Sequence, residues 1–211
     1  ANAAALITGG MGGLGLRAAA LLIEGSAVFV VLSSRSGRMG GAGRGFDAAL
    51  GSQAQAAMRV EACDVGDGSE VLSLLRCAPP SGVFHAAGLP DKGLIRELAA
   101  RRVHWMHAAK AGGVSHLHSA SISALLDARV LFSSVAAGLG NVGQANYAAA
   151  NACLDAHALA RRAHGVAAFS LQWPLEYTHH QHWLPATMNC YLEPRRVLHH
   201  QSDRMALHHR P

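Results

Sequence analysis

An α/β fold built on a doubly wound parallel sheet is predicted by three observations. Short apolar segments alternate with helix-length segments over residues 3–171. A glycine-rich turn joins the first apolar segment to the first helical one. Half of the 211 residues are hydrophobic yet only 5% are aromatic, which supplies a core of small aliphatic side chains and excludes a disordered chain. Alternation of this kind places helices on the two faces of a parallel sheet.

The elements follow in order. Residues 3–8 (A-A-A-L-I-T) read as a buried strand, and a helix from Leu14 to Glu24 sets Leu14, Ala18, Leu21 and Leu22 on one face. Residues 27–32 (A-V-F-V-V-L) are an unbroken apolar run, as expected of a parallel strand covered on both faces. A Gly/Arg/Ser loop over 36–45 precedes a short Ala-rich helix over 46–57. A strand over 58–62, a helix over 68–77, a strand over 82–86 and one long helix over about 99–126 come next. A strand over 129–133, an Ala-rich helix over 144–163 and a strand over 166–171 complete the alternation. After Trp173 no period continues, and residues 175–211 read as a His-rich tail following a core over 1–174.

Composition narrows the function. The formal charge of +5 is modest and its arginines are scattered, which argues against nucleic acid. No apolar run reaches the roughly 18 residues of a membrane span. Cys63, Cys77, Cys153 and Cys190 lie far apart without a C-x-x-C pair, which suits a reducing, cytoplasmic setting. The opening A-N-A-A-A-L-I-T has no charged leader and reads as the start of a segment of something longer. Seven of the 14 histidines fall in the last 33 residues; His179, His180 and His182 are either metal ligands or, the favoured reading, a biased tail. Of the 18 basic residues only two are lysines, Lys92 and Lys110.

Two constellations carry chemistry. Residues 8–15 are T-G-G-M-G-G-L-G, with Gly9, Gly13 and Gly15 spaced so that a backbone turn can approach a pyrophosphate at a helix N-terminus. The second strand runs into Ser34, Arg35 and Ser36 with no acid, so Arg35 is suited to the 2′-phosphate of NADP, or else is a solvated loop arginine. Asp64 sits where it would accept from an adenine amino group, or cap a turn. Farther on, Ser134 ends the fifth strand, and Tyr147 and Asn151 lie one turn apart on the next helix. A tyrosine that donates a proton near neutrality needs a neighbouring cation, which Lys110 can supply. The plain alternatives are a core tyrosine, a strand-end serine cap and a solvated lysine.

Together these residues carry a resemblance. T-G-G-M-G-G-L-G (8–15), L-S-S-R-S-G (32–37), C-D-V (63–65), H-A-A-G (85–88), K-A-G-G from Lys110, F-S-S-V-A (132–136), N-V-G-Q-A-N-Y-A-A-A-N (141–151) and L-Q-W (171–173) stand in order over about 174 residues. The chain resembles the short-chain dehydrogenase/reductases, and among them the ketoreductase domains of modular (type I) polyketide synthases. Most of that superfamily carries Y-x-x-x-K; here Tyr147 is followed by Asn151 and the lysine comes earlier as Lys110, as in the synthase ketoreductases.

The resemblance implies a Rossmann-like fold and NADPH as cofactor. It implies contacts to that cofactor from Thr8, Gly9, Gly10, Gly13, Leu14, Gly15, Ser34, Arg35, Asp64, Val65, Ala86, Ala87, Gly88 and Lys110. Tyr147 would be the general acid, Ser134 would hold the substrate carbonyl, Lys110 would lower the Tyr147 pKa and touch the nicotinamide ribose, and Asn151 would complete a proton relay. The substrate would be a β-ketoacyl chain on the phosphopantetheine arm of an acyl carrier domain, among flanking synthase domains, without nucleic acid or membrane. Leu89-Pro90-Asp91-Lys92-Gly93 keeps one acid of the family's L-D-D marker, and no Trp lies between Val135 and Asn146, so the chain leans to the L-D-D type. The usual lid and last strand are not legible after Trp173, nor is an upstream structural subdomain. A non-reducing structural domain and a free-standing reductase of another ketone are the competing functions.

Overall fold

In a computed structural model, described over residues 4–25, 27, 29–38, 57–89 and 91–174, the apolar segments become six parallel strands. They are β1 (Ala4–Thr8), β2 (Phe29–Ser34), β3 (Met58–Ala62), β4 (Gly82–His85), β5 (Ala128–Ser134) and β6 (Ala168–Trp173). Their order across the sheet is β3-β2-β1-β4-β5-β6. The chain winds outward from β1 to β3, then returns to β4 and winds the other way, so the strand order reverses between β1 and β4. Ligands of such sheets bind outside the carboxyl ends of the strands at that reversal. Thr8, the last residue of β1, is in register with Ser33 on one side and His85 on the other.

Strand alternation sends successive side chains to opposite faces. Leu6, Val31 and Val83 pack with Val71, Leu74, Leu75 and Leu117 of two helices, α2 (Gly68–Cys77) and α4 (Gly113–Ala120). Leu131 and Ala168 meet Val114 of α4 and Leu154 and Ala158 of the long helix α6 (Ala145–Ala163). Ile7, Val30 and Leu32 face the other way, toward α1 (Gly13–Glu24), whose Ala18, Ala19 and Leu22 are buried. The edge strand β3 is the most exposed, consistent with its M-R-V-E-A sequence. No helix among the described residues is long and apolar enough to cross a membrane.

The two helices flanking the cleft are capped differently. The Asp67 carboxylate accepts from the Ser69 hydroxyl and from the Glu70 and Ser69 amides at the start of α2, and these bonds, the hydroxyl's first, hold its carboxyl below the usual range. At the start of α1, Gly12 offers no side-chain cap and the first turn carries no acid. The N–H groups there are left for an anion.

One element departs from the sequence expectation. The single helix expected over 99–126 is α3 (Ala100–His107), a π-turn (Ala108–Gly112) and α4, ending at Ala120. Hydrophobic period does not distinguish a wider turn confined to five residues. At this earlier end the Ser121 hydroxyl donates back to the Leu117 carbonyl, 2.6 Å, alongside the Ser121 amide. A short 3₁₀ turn (Ile95–Glu97) and helix α5 (Ala136–Leu139) are additions. The expected helix over 46–57 lies, but for Ala57, outside the described residues, as does the tail after Pro174 with His179, His180 and His182.

The turn after β1 depends on glycine at one position above all. Gly9 has φ +68°, and a Cβ there would lie 2.5 Å from the Ala87 Cα. Backbone fills the space on one side and the left-handed conformation excludes other residues on the other. Gly9→Ala is expected to cost about 3 kcal/mol of stability, read as a lower urea midpoint.

Candidate active site

The ends of β1, β2, β3 and β4 border one cleft of about 890 Å³. Of the residues expected to touch a cofactor, Thr8, Gly9, Ser34, Arg35, Asp64, Val65, Ala86, Ala87 and Gly88 line it. Gly10 and Gly15 lie behind the turn, packed backbone to backbone: a Cβ on Gly15 would stand 2.6 Å from the Gly10 Cα. A Cβ on Gly13 would meet nothing within 4 Å. Gly13 and Leu14 form the first turn of α1, with Gly13 exposed and Leu14 half-buried.

This cleft fits a dinucleotide. The glycine turn is a backbone cradle, α1 opens on it without a side-chain cap, and the Ser33 and Ser34 hydroxyls are buried without a partner among the described residues. Unpartnered buried hydroxyls cost free energy unless a ligand meets them. Arg35 is exposed at the rim. Asp64 has one oxygen committed to the Gly66 amide at 2.9 Å, so it caps a turn as well as lining the cleft.

Lys110 is not a solvated helix residue. The π-turn carries it inward, where it is 4% exposed. Its Nζ donates to the Phe132 carbonyl at 3.0 Å and stands 5.8 Å from the centre of the Tyr147 ring. A Cβ on Gly88 would meet Lys110 Cε at 3.0 Å, so the lysine tip borders the cleft. Burial pushes its ammonium down to about 8, opposed by the charge of Asp155. It remains a cation at neutral pH, and an ammonium beside a phenol favours the phenolate.

Asn151 is fully buried; its amide donates to the Tyr147 carbonyl at 2.9 Å, and its Oδ1 has no partner among the described residues. That oxygen and the second amide hydrogen are left for a relay. The Ser133 hydroxyl donates to the Asn151 carbonyl and ties β5 to α6. Ser134 ends β5, 9% exposed, with its oxygen accepting from the Ala136 amide at 3.2 Å. The strand-end cap is therefore present, and the hydroxyl proton stays free to be donated. Thus Lys110, Tyr147 and Asn151 are brought together through α6 and the π-turn, with Ser134 at the neighbouring strand end and not bonded to them.

The sequence reading missed three participants. His85 is fully buried and pushed down to about 3 by desolvation and by Lys110, so it is neutral. Its Nε2 faces the Lys110 carbonyl at 3.2 Å, an acceptor, and therefore carries the hydrogen. Its Nδ1 then accepts from Thr8 Oγ1 at 2.7 Å. One imidazole thus joins the glycine turn to the lysine turn. Asn146 is the second: its oxygen accepts from the Tyr147 amide at 2.9 Å and its amide donates to Asp91. Asp91 also pairs with Arg102, and both partners hold its carboxyl below the usual range. The surviving acid of the L-D-D position is thereby committed to anchoring its loop to α3 and α6, while Lys92 beside it is exposed. Trp105 is the third, lining the cleft from α3.

The model of the KR domain family matches residues 3–176. The chain belongs to that family. Polyketide synthase GfsB of Streptomyces halstedii is 45% identical to this KR domain over 173 residues, which are 80% of the chain and 3% of the synthase. Spectinabilin polyketide synthase system protein NorB of Streptomyces orinoci is 39% identical over 173 residues, 8% of its length. The KR domain thus spans a small fraction of the curated relatives it matches. A solved structure of A-type ketoreductases from a modular polyketide synthase superposes with a TM-score of 0.74 at 39% identity, covering 81% of this chain and 37% of that one. The family match, the synthase segments and the ketoreductase structure agree with one another, and the fold is that of the short-chain dehydrogenase/reductases.

Proposed function

We propose that this ketoreductase uses NADPH to reduce the β-keto group of an acyl thioester to a β-hydroxyl, the substrate being carried by the phosphopantetheine arm of an acyl carrier domain within a larger synthase. The observation that carries this reading is the buried Lys110 ammonium between the Tyr147 ring and Gly88 of the cleft. NADPH supplies the hydride for the carbonyl carbon when bound. The glycine turn and the open start of α1 hold the pyrophosphate, and Ser34 and Arg35 take the 2′-phosphate. Ser134 donates its free hydroxyl proton to the substrate carbonyl and resists charge build-up on the oxygen. Tyr147 gives its phenolic proton to that oxygen, and Lys110 stabilises the phenolate left behind. Asn151 offers its unpartnered Oδ1 to the chain of hydrogen bonds that returns the proton.

Residues 1–174 are in this reading the cofactor-binding, catalytic core, 175–211 an atypical tail, and the setting cytoplasmic. The test is NADPH oxidation, followed at 340 nm, with a β-ketoacyl thioester or a cyclic-ketone surrogate. Consumption of NADPH with formation of the hydroxy product is expected. Tight NADPH binding without turnover would reduce the chain to a non-reducing structural domain, and absence of binding would overturn the cofactor assignment.

A further inference from the structure

Arg35 lies at the end of β2 with its guanidinium carbon 5.3 Å from the centre of the Trp105 ring. Both residues line the cleft. Trp105 is 53% exposed, and it comes from α3, a different element from the β2 end that carries Arg35. No carboxylate among the described residues pairs with Arg35. The two kinds of partner have opposite consequences for an arginine. A carboxylate occupies the fork of N–H donors, whereas an aromatic face holds the guanidinium plane by its quadrupole and leaves the in-plane donors free. Arg35 is therefore held in place while its donors stay available for an anion. The buried Ser34 hydroxyl, which has no partner among the described residues, belongs to the residue before it.

We infer that Trp105 is a specificity-determining positioning residue, a platform that fixes Arg35 for the 2′-phosphate of the dinucleotide and so sets the preference for NADP(H) over NAD(H). The inference rests on the function proposed above and adds to it a residue outside the glycine turn and outside the Ser-Arg pair. Trp105 acts through Arg35, so its contribution must vanish when Arg35 is gone. A tryptophan that merely walls the adenine pocket would instead affect both dinucleotides alike, with or without Arg35.

Calorimetric titration of the whole chain with NADP⁺, NAD⁺ and adenosine 2′,5′-bisphosphate tests this without turnover. Trp105→Ala is expected to lower the ratio of NADP⁺ to NAD⁺ affinity by about three- to fivefold and to weaken the bisphosphate by the same factor. Trp105→Phe, which keeps a ring face, should restore most of the ratio. In an Arg35→Ala background, Trp105→Ala should leave the ratio unchanged. The Trp105 side chain is half-exposed, so its removal leaves no core cavity, and thermal melts of each variant verify that the fold is kept. An unchanged ratio in Trp105→Ala, or an equal drop in the Arg35→Ala background, overturns the platform while leaving the proposed function standing. Failure of the unaltered chain to bind either dinucleotide overturns both.

Discussion

Tyr147→Phe is expected to slow reduction of a β-ketoacyl thioester by about 10²–10⁴-fold, with affinity for NADP⁺ within twofold of the parent. The substitution removes one oxygen from a half-buried ring. It leaves the helix intact, because the bonds that fix this stretch of α6 use the Tyr147 amide and carbonyl, received and met by Asn146 and Asn151. The lost group is thus the proton donor alone. Single-turnover rates with preloaded NADPH, beside calorimetric binding, separate the chemical step from cofactor capture. A rate within tenfold of the parent would remove Tyr147 from the role of general acid.

Lys110→Met carries the second large effect, and it acts in two directions. Activity is expected to fall by about 100-fold or more, since the phenolate loses its nearby cation. Stability is expected to rise. Burial lowers the Lys110 pKa from 10.5 to about 8, so the folded state binds this proton more weakly than the unfolded one. The cost is fully present below pH 8 and is relieved as pH climbs from about 8 to 10.5. It amounts to about 3 kcal/mol at neutral pH. The lost bond to the Phe132 carbonyl offsets about 1 kcal/mol, leaving a net gain of about 2 kcal/mol and a Tm higher by roughly 5 °C. Thermal melts at pH 7 and pH 10 check the sign: the gain should shrink at the higher pH. In the parent, activity should decline above about pH 8 as Lys110 loses its proton, and Asp155→Asn should move that decline to lower pH by removing the charge that raises it. A Tm that falls at pH 7 would mean that the ammonium stabilises the fold.

The strands were legible because parallel strands covered on both faces are unbroken apolar runs, as in Val30, Val31 and Leu32. The glycine turn was legible because its geometry excludes side chains at Gly9. Lys110 stood out because lysine is rare in this chain. The long-range ties were not legible. Thr8 and His85 meet across 77 positions, and Asp91 and Asn146 across 55. Such pairs are chosen by sheet register and loop path, which no local period encodes. The π-turn escaped for a different reason: five residues of wider winding leave the apolar spacing on either side looking like one helix.

That π-turn works as a gear between two helical faces. Each residue of an α-helix advances about 100° around the axis, and a π-turn inserts the equivalent of one extra residue. α3 and α4 are therefore phased against each other by that step. Upstream, the phase points Arg102 at Asp91 and Trp105 at Arg35; downstream, it buries Val114 and Leu117. Shortening Ala108–Gly112 by one residue would satisfy the backbone as a regular helix, yet no single rotation could then keep both halves engaged. The segment thus tolerates exchange of side chains far better than any change in its count.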